Sequence, residues 1–435
     1  MISKTNRLRL LAIQNQFADK VPFYYGWIML PIAMLALIAT SPGQTFGVSA
    51  FNSSLRDALG LTHSQLTGAY MLGTLLAAAP QPWFGAMMDR YGIRRVMIIV
   101  VICLGFACLF ISQVRNLTML FIAFFILRTF GQGALTLLAT NTPAMWFQQR
   151  LGRVAALMGV GGAAATAIFP PFVLWLIRQT DWRTAYATLG VIVWVMMLPL
   201  LLTLYRNKPE DVGQHIDGTH PISDKQPVAN VEETAVSPHP SFTLKQAMRS
   251  RAYWIFLFTF ACWGMIVTAV TFNLFPLFES AGLSEQNAAA TFTILAGILI
   301  VTQLIGGWLA DKMRLNQLAS ISLIFLTIAM LFLVNLQAVW MGQVYAFFAG
   351  LGQGFLGAVN NTVWVRYFGR QHLGKVRGSV WTATVAGSSL GPFLMGFTFD
   401  QTGSFSISLW AFTAIFAILI AATLFGTPPH SKHTA

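Results

Sequence analysis

Arg128 stands about eleven residues into an apolar stretch that runs from 117 to 146, among neighbours that are mostly Leu, Phe, Ile and Ala. A guanidinium at the centre of a hydrocarbon layer costs roughly 2.5 to 3.5 kcal/mol on insertion scales, so it must face a packed interior or a wet cavity. Gln132, Thr136 and Thr140 follow at intervals of four, which sets the four residues along one stripe of a helix. Two chemistries suit this arrangement. The planar fork can grip a carboxylate or phosphate through two parallel hydrogen bonds, or it can bond backbone carbonyls and brace a bundle. Uncharged polar residues gather at similar depths in other apolar stretches: Ser41, Gln44, Thr45, Ser49, then Thr268, Thr271, Asn273, then Asn360, Asn361, Thr384 and Ser388. They can hydrogen-bond a solute, and Ser, Thr and Asn also join helix to helix at about 0.6 kcal/mol per contact. Trp263, Trp364 and Trp381 can wall a cavity or simply pack.

All 14 carboxylates, from Asp19 to Asp400, fall in tails, loops or the ends of apolar stretches, and the seven histidines are equally peripheral. A proton relay of buried Asp, Glu or His is therefore not expected. Cys103, Cys108 and Cys262 are widely spaced inside apolar stretches, which makes neither a disulfide framework nor a metal cluster. The chain is expected to need no metal or cofactor and not to be an enzyme.

These residues have to be positioned by elements that suit their surroundings. The 435 residues are 56% hydrophobic and only 9% charged, with a mean hydropathy of +0.64; an ordinary soluble domain is about 25% charged. Twelve apolar stretches can be read, near 24–49, 66–88, 96–113, 117–146, 154–177, 184–205, 253–278, 287–310, 317–336, 339–367, 376–399 and 405–425. About 20 residues of helix cross a roughly 30 Å hydrocarbon core. No alternating ten-residue pattern suggests a barrel, so each span must satisfy its own backbone as a helix.

The net charge of +13 is explained by its placement. With the N-terminus inside, 22 of the 27 Lys and Arg residues fall in inner segments and 4 in outer loops, which is the positive-inside pattern rather than a nucleic-acid surface. The basic, mixed-polar start of the chain lacks a signal-peptide core. Both tails are expected in the cytoplasm and the spans in a bacterial cytoplasmic membrane.

Residues 206–250 are rich in Pro, Asp, Glu, Lys and His and poor in large apolar residues, which reads as a solvated linker. It divides the chain into a tail (1–23), six spans (24–205), the linker, six further spans (251–426) and a second tail (427–435). The two sets of six repeat each other. RTFGQGALTLLATNTPAMWF (128–147) aligns without a gap to AGLGQGFLGAVNNTVWVRYF (349–368), and GAMMDRYGIRR (85–95) aligns to GWLADKMRLNQ (307–317), setting Asp89 opposite Asp311 and Arg90 opposite Lys312. Parallel repeats of this kind build two-bundle transporters with a site at the midplane between the bundles. The expected fold is an all-α integral membrane protein of twelve transmembrane helices in two pseudo-symmetric six-helix bundles.

At these residues the chain resembles the major facilitator superfamily over all twelve spans. GAMMDRYGIRR is similar to that family's loop signature, and Arg128 with Gly131 and Gly133 is similar to its signature in the fourth span. Within the family the resemblance is to the monocarboxylate-porter branch, which includes the oxalate:formate antiporters. YYGW (24–27) with PGQTFGVSAF (42–51), GRVAALMGVGGAAATAIFPP (152–171) and SLGPFLMGFTFDQTGS (389–404) are similar to that branch's first, fifth and eleventh spans.

Two departures stand out. Gln44 occupies the place of a first-span Lys of the branch, and Gln303 that of an eighth-span Arg; both cations are thought to hold substrate carboxylate there. The resemblance implies a secondary transporter working by alternating access. With one central cation and no central anion, the solute expected is a small organic anion, moved by exchange or facilitated diffusion, with Arg128, Gln44, Gln303, Gln132, Asn361, Thr271 and Trp381 as its binding residues. Gly85, Asp89, Arg90, Arg94, Arg95, Asp311 and Lys312 are expected to latch the cytoplasmic face. The two glutamines suit a second reading, export of a neutral polar or amphipathic compound such as a drug or siderophore, and a third is a nutrient sensor that does not transport. The expected partners are the solute and the bilayer, with no nucleic acid, and the protein is expected to be a monomer.

Overall fold

A computed structural model of the chain describes residues 23–147, 150–218, 242–369 and 373–429. Residues 251–426 supply spans 7 to 12 as Arg251–Ser280, Glu285–Lys312, Leu315–Val334, Val339–Phe368, Leu373–Thr402 and Ser406–Leu424. In the first half, spans 3, 5 and 6 are single helices, Ile93–Ile111, Leu151–Gln179 and Trp182–Thr203. Among the described residues nine helices are long and apolar enough to cross a bilayer. Spans 2, 10 and 11 complete the twelve; spans 10 and 11 are rich in Gly, with Asn and Gln added in span 10 and Ser and Thr in span 11.

Three spans of the first half are interrupted. Span 1 is Gly26–Ala39, a 3₁₀ turn at Ser41–Gly43, then Thr45–Ser49, with Asn52–Leu59 beyond. Gln44 at the break is extended, with φ −83° and ψ 155°. Pro42 withholds a backbone donor and Gly43 lowers the cost of leaving the helix, which is why the apolar run 24–49 is not one helix. Span 2 is His63–Ala78 and Gln81–Tyr91, divided at Pro80. Span 4 keeps its direction, but between Leu117–Leu127 and Thr136–Trp146 it widens into a π-helix at Arg128–Leu135. Such a bulge is a rare feature and is often found at functional sites.

Capping fixes the ends. Asn116 accepts from the Met119 amide to start span 4, and Asp181 accepts from the Arg183 and Thr184 amides to start span 6. The Thr184 hydroxyl and amide bonds hold the Asp181 carboxyl below the usual range.

Within the first half span 3 packs on span 6; within the second, span 7 packs on span 11, span 8 on span 10, and span 9 on spans 10 and 12. The halves meet where span 1 packs on span 7, span 2 on span 11 and span 5 on span 8. Among the described residues, the polar bonds between them gather at the end opposite the linker, called here the far end. Asn52 Nδ2 donates to the Phe272 carbonyl at 2.5 Å, Ser53 Oγ to Glu285 at 3.1 Å, and Arg56 lies 3.7 Å from Glu279.

The breaks in spans 1 and 4 fall against each other. A Cβ on Gly43 would lie 2.5 Å from the Leu127 carbonyl oxygen and 3.0 Å from Gly131 Cα, and one on Gly131 would lie 2.9 Å from Gly43 Cα. Both obstacles are backbone, which cannot step aside as a flexible side chain can. Gly43→Ala is expected to destabilise the protein by about 1 to 3 kcal/mol, the usual range for overpacking. A thermal melt of the detergent-purified chain should show a lowered midpoint, whereas Gly357→Ala, where a Cβ meets nothing within 4 Å, should leave it unchanged.

Candidate functional site

Arg128 begins the π-helical turn, and its side chain, 2% exposed, reaches under the broken part of span 1. Its Nη1 donates to the Gly43 carbonyl at 3.1 Å and to Thr45 Oγ1 at 3.4 Å, and the guanidinium carbon lies 4.8 Å from the centre of the Tyr70 ring. Tyr70 OH is 2.8 Å from the same Thr45 oxygen. A desolvated cation over an aromatic face gains up to about 2 kcal/mol, and a hydrogen bond from a charged donor about 1.5 to 3 kcal/mol. Arg128 Nε and Nη2 are buried without a hydrogen-bond partner. The brace and the unspent donors are thus properties of one side chain.

The rest of the stripe emerges from cover as it descends. Gln132 and Thr136 are half-buried, and Thr140 is exposed. Thr136 Oγ1 donates to the Gly131 carbonyl at 3.3 Å, five residues back, which suits the wider turn. Gln44 joins this group: its Nε2 donates to Thr40 Oγ1 at 3.0 Å and to Thr136 Oγ1 at 3.2 Å, so Gln44 and span 4 are bonded across the break.

Thr140 also lines a cavity of about 420 Å³ between the halves, with Leu37 of span 1, Pro143 of span 4, Met158, Gly159 and Thr166 of span 5, and Leu299 and Gln303 of span 8. That volume lies within the usual range of small-molecule sites. Its polar groups are neutral. The Thr140 and Thr166 hydroxyls donate to carbonyls of their own helices, at 2.8 Å to Thr136 and 3.1 Å to Gly162, so they turn lone pairs toward the cavity. The structure therefore brings Gln303 to Thr140 and Thr166, while Gln44 stays with Thr40 and Thr136. Thr271 is half-buried on span 7; Asn361 is exposed near the linker end of span 10, where its carbonyl accepts from Arg377 at 2.6 Å; Trp381 is 69% exposed on span 11. None of these three lines the cavity.

The loop residues divide between the halves. Arg94 donates from Nε to the Leu201 carbonyl at 2.8 Å and from Nη2 to that of Leu202 at 2.6 Å, tying span 3 to the end of span 6 within one half. Arg95 is exposed, Arg90 lies 5.3 Å over the Tyr91 ring, and Gly85 has open space about its Cα. The side chain of Asp89 lies outside the described residues. Asp311 pairs with Arg366 at 3.1 Å in its own half, and Lys312 lies 4.2 Å over the Trp308 ring.

Two site residues escape a reading of the sequence. Gln81 stands four residues before Gly85, as Gln303 does before Gly307; its Nε2 donates to the Ala77 carbonyl at 2.8 Å and to that of Thr129 at 3.3 Å. The repeat was the signal that could have paired it with Gln303. Asp400, near the end of span 11, is the second. Its two carboxylate oxygens accept from the His63 amide at 3.1 Å and the Ser64 amide at 2.7 Å, while Thr62 accepts from Gln65 in the cap proper. A carboxylate of one half thus satisfies the first two free donors of a helix in the other, and its charge suits the positive end of that helix.

The chain belongs to the major facilitator superfamily, whose model matches residues 23–341 and 300–435. It is accordingly a multi-pass membrane transporter by family, not an enzyme. Among its relatives are the uncharacterised MFS-type transporter YhjX of Escherichia coli, 24% identical over 80% of this chain and 82% of that one, and human monocarboxylate transporter 11, 24% identical over 88% and 79%. The oxalate:formate antiporter of Oxalobacter formigenes is 22% identical over 40% of this chain and 41% of its own.

Replacing Asp400 with Ala removes a cap across the halves, and lost caps cost about 1 kcal/mol, roughly fivefold in an equilibrium. Spin labels at the far ends of spans 2 and 11 should then show a larger population at long separation, while an unchanged distance distribution would deny Asp400 any hold on this contact.

Proposed function

We propose that the protein carries a small organic anion across the bacterial cytoplasmic membrane by alternating access, with both termini and the linker in the cytoplasm. The observation that carries this reading is Arg128: a fully buried cation at mid-span whose Nε and Nη2 lack partners, beneath a break in span 1. Those donors are placed for a carboxylate once the Ser41–Gln44 segment shifts. The Gln132, Thr136 and Thr140 stripe leads from Arg128 to the cavity that holds Gln303. Relatives named for monocarboxylate and for oxalate and formate support the same solute class. The far end, tied by Asn52, Arg56 and Asp400, is the closed side in this arrangement. Exchange or facilitated diffusion fits spans without a central carboxylate better than proton coupling does, and one chain holds a complete site.

The neutral lining of the cavity favours a second reading, a neutral polar or amphipathic solute bound by Gln303, Thr140 and Thr166 without Arg128. Counterflow of labelled solute into proteoliposomes distinguishes the two and also separates transport from sensing. Simple carboxylates should compete with the labelled solute and their amides should not; the reverse order of competition favours the neutral solute.

Arg128→Gln should abolish counterflow, and Arg128→Lys, which keeps the charge but loses the fork, should lower the rate on the order of tenfold or more. A melting temperature close to that of the unaltered protein must accompany the loss, since Arg128 also braces span 1. Normal kinetics in both variants would refute the anion-clamp role.

A further inference from the structure

We propose that the groove between spans 5 and 8 at the far end is a binding site for a phospholipid whose headgroup carries a primary ammonium, and that this lipid holds the far-end contact closed. The groove encloses about 610 Å³, more than the cavity at Gln303. Its walls change character along its length. Pro171, Leu174 and Ile294 line it at depth, and Arg178, Gln179 and Gln286 stand at its mouth. An apolar trough that ends in polar groups at the level where helices leave the hydrocarbon has the profile of an acyl chain below a headgroup.

Arg178 at the mouth and Glu285 just beside it offer opposite charges, as the two ends of a zwitterion require. Arg178 Nη2 and the Glu285 carboxylate are 3.9 Å apart, and their side chains are 44% and 39% exposed. That distance is too long for a hydrogen bond, so each group can still bond a third party: phosphate on the guanidinium, as Arg favours, and ammonium on the carboxylate. Their positions are fixed by neighbours. Ser53 Oγ donates to Glu285 Oε1 at 3.1 Å, and Gln286, once its amide oxygen is turned toward Arg178, can accept from both Nη1 and Nη2. Trp175, 56% exposed one turn before Arg178, marks the interfacial depth at which tryptophans settle.

The floor of the groove is the bond from Thr293 Oγ1 to the Ala167 carbonyl at 2.8 Å, which joins span 8 to span 5. Arg178 belongs to the first half and Glu285 to the second, so a lipid that engages both bridges the halves. Opening the far end would pull its two anchors apart. The ammonium discriminates among lipids: a quaternary choline offers no N–H donor to Glu285, and an anionic glycerol headgroup meets its repulsion.

Native mass spectrometry of the full chain, titrated separately with phosphatidylethanolamine, phosphatidylcholine, phosphatidylglycerol and inorganic phosphate, tests this. Phosphatidylethanolamine should bind on the order of tenfold more tightly than the other two lipids, a difference of about 1.4 kcal/mol. Glu285→Gln should erase the preference over phosphatidylcholine, and Arg178→Gln should weaken both lipids, with unchanged gel-filtration profiles showing that the variants fold. Trp175→Ala, which touches neither charge, should weaken all three lipids alike. Equal binding of the three lipids, a preference that persists in Glu285→Gln, or retention of phosphate without lipid would each overturn the proposal. Because the readout is lipid binding and not solute counterflow, its failure is separable from that of the anion-transport reading.

Discussion

The hydrogen bond from Arg128 to the Gly43 carbonyl joins the two irregular stretches on which the interior of the first half depends. Hydrocarbon offers no water to a backbone that leaves its helix, so a broken span survives only where protein supplies the missing partners. Span 1 breaks at Ser41–Gln44 and span 4 widens at Arg128–Leu135. Arg128 serves both, because its guanidinium satisfies the freed carbonyl of one from the first residue of the other. Gly43 and Gly131 make that reach possible by letting two backbones meet. The same constraint leaves Arg128 Nε and Nη2 without hydrogen-bond partners, the feature on which the proposed anion grip rests.

At the far end the halves are held differently. The bonds of Arg56, Asn52, Ser53 and Asp400 are spread over three pairs of spans, and most involve groups that water can reach. Exposed ion pairs contribute about 0 to 1 kcal/mol each. Such a closure is strong only as a set, and loss of a few members would allow the halves to part. Aromatic contacts accompany them, Tyr70 on Phe272 at 4.2 Å and His63 on Phe399 at 4.3 Å between ring centres. Within the first half a core runs along spans 3 and 6, where Arg94 clamps the Leu201 and Leu202 carbonyls. Rigid within each half and weakly tied between them is the mechanical condition for rocking.

The frame was legible in the sequence because the bilayer imposes a single rule, that of long apolar helices, and because charges in the loops obey another. Arg128 was legible for the same reason: a cation in hydrocarbon has to be explained. What the pattern of residue types did not show was the course of the backbone. Pro42 with Gly43, and Pro80, mark breaks only in retrospect, since Pro31 and Pro276 lie inside continuous helices. The partners of Asp400 are 336 and 337 residues away, and no local periodicity reports on them. Depth alone points to Thr271, Asn361 and Trp381 as ligands, and depth gives no direction around a helix axis.

The breaks also explain why two halves with one repeat have different interiors. In the second half span 8 is continuous, so Thr302 packs on Gly354 and donates to the Gly350 carbonyl at 3.0 Å, while the next residue, Gln303, points to the cavity. In the first half the position matching Thr302 is Pro80, which divides span 2 and has no hydroxyl to offer. Gln81 takes over the packing against Gly133 and spends its amide on the Ala77 and Thr129 carbonyls. One proline thus withdraws a glutamine from one side of the midplane, and the repeat leaves its counterpart free on the other. Arg128 faces the opposite asymmetry, since the position matching it is Ala349. At mid-depth the first half therefore presents the guanidinium of Arg128, and the second half presents the amide of Gln303 to the cavity.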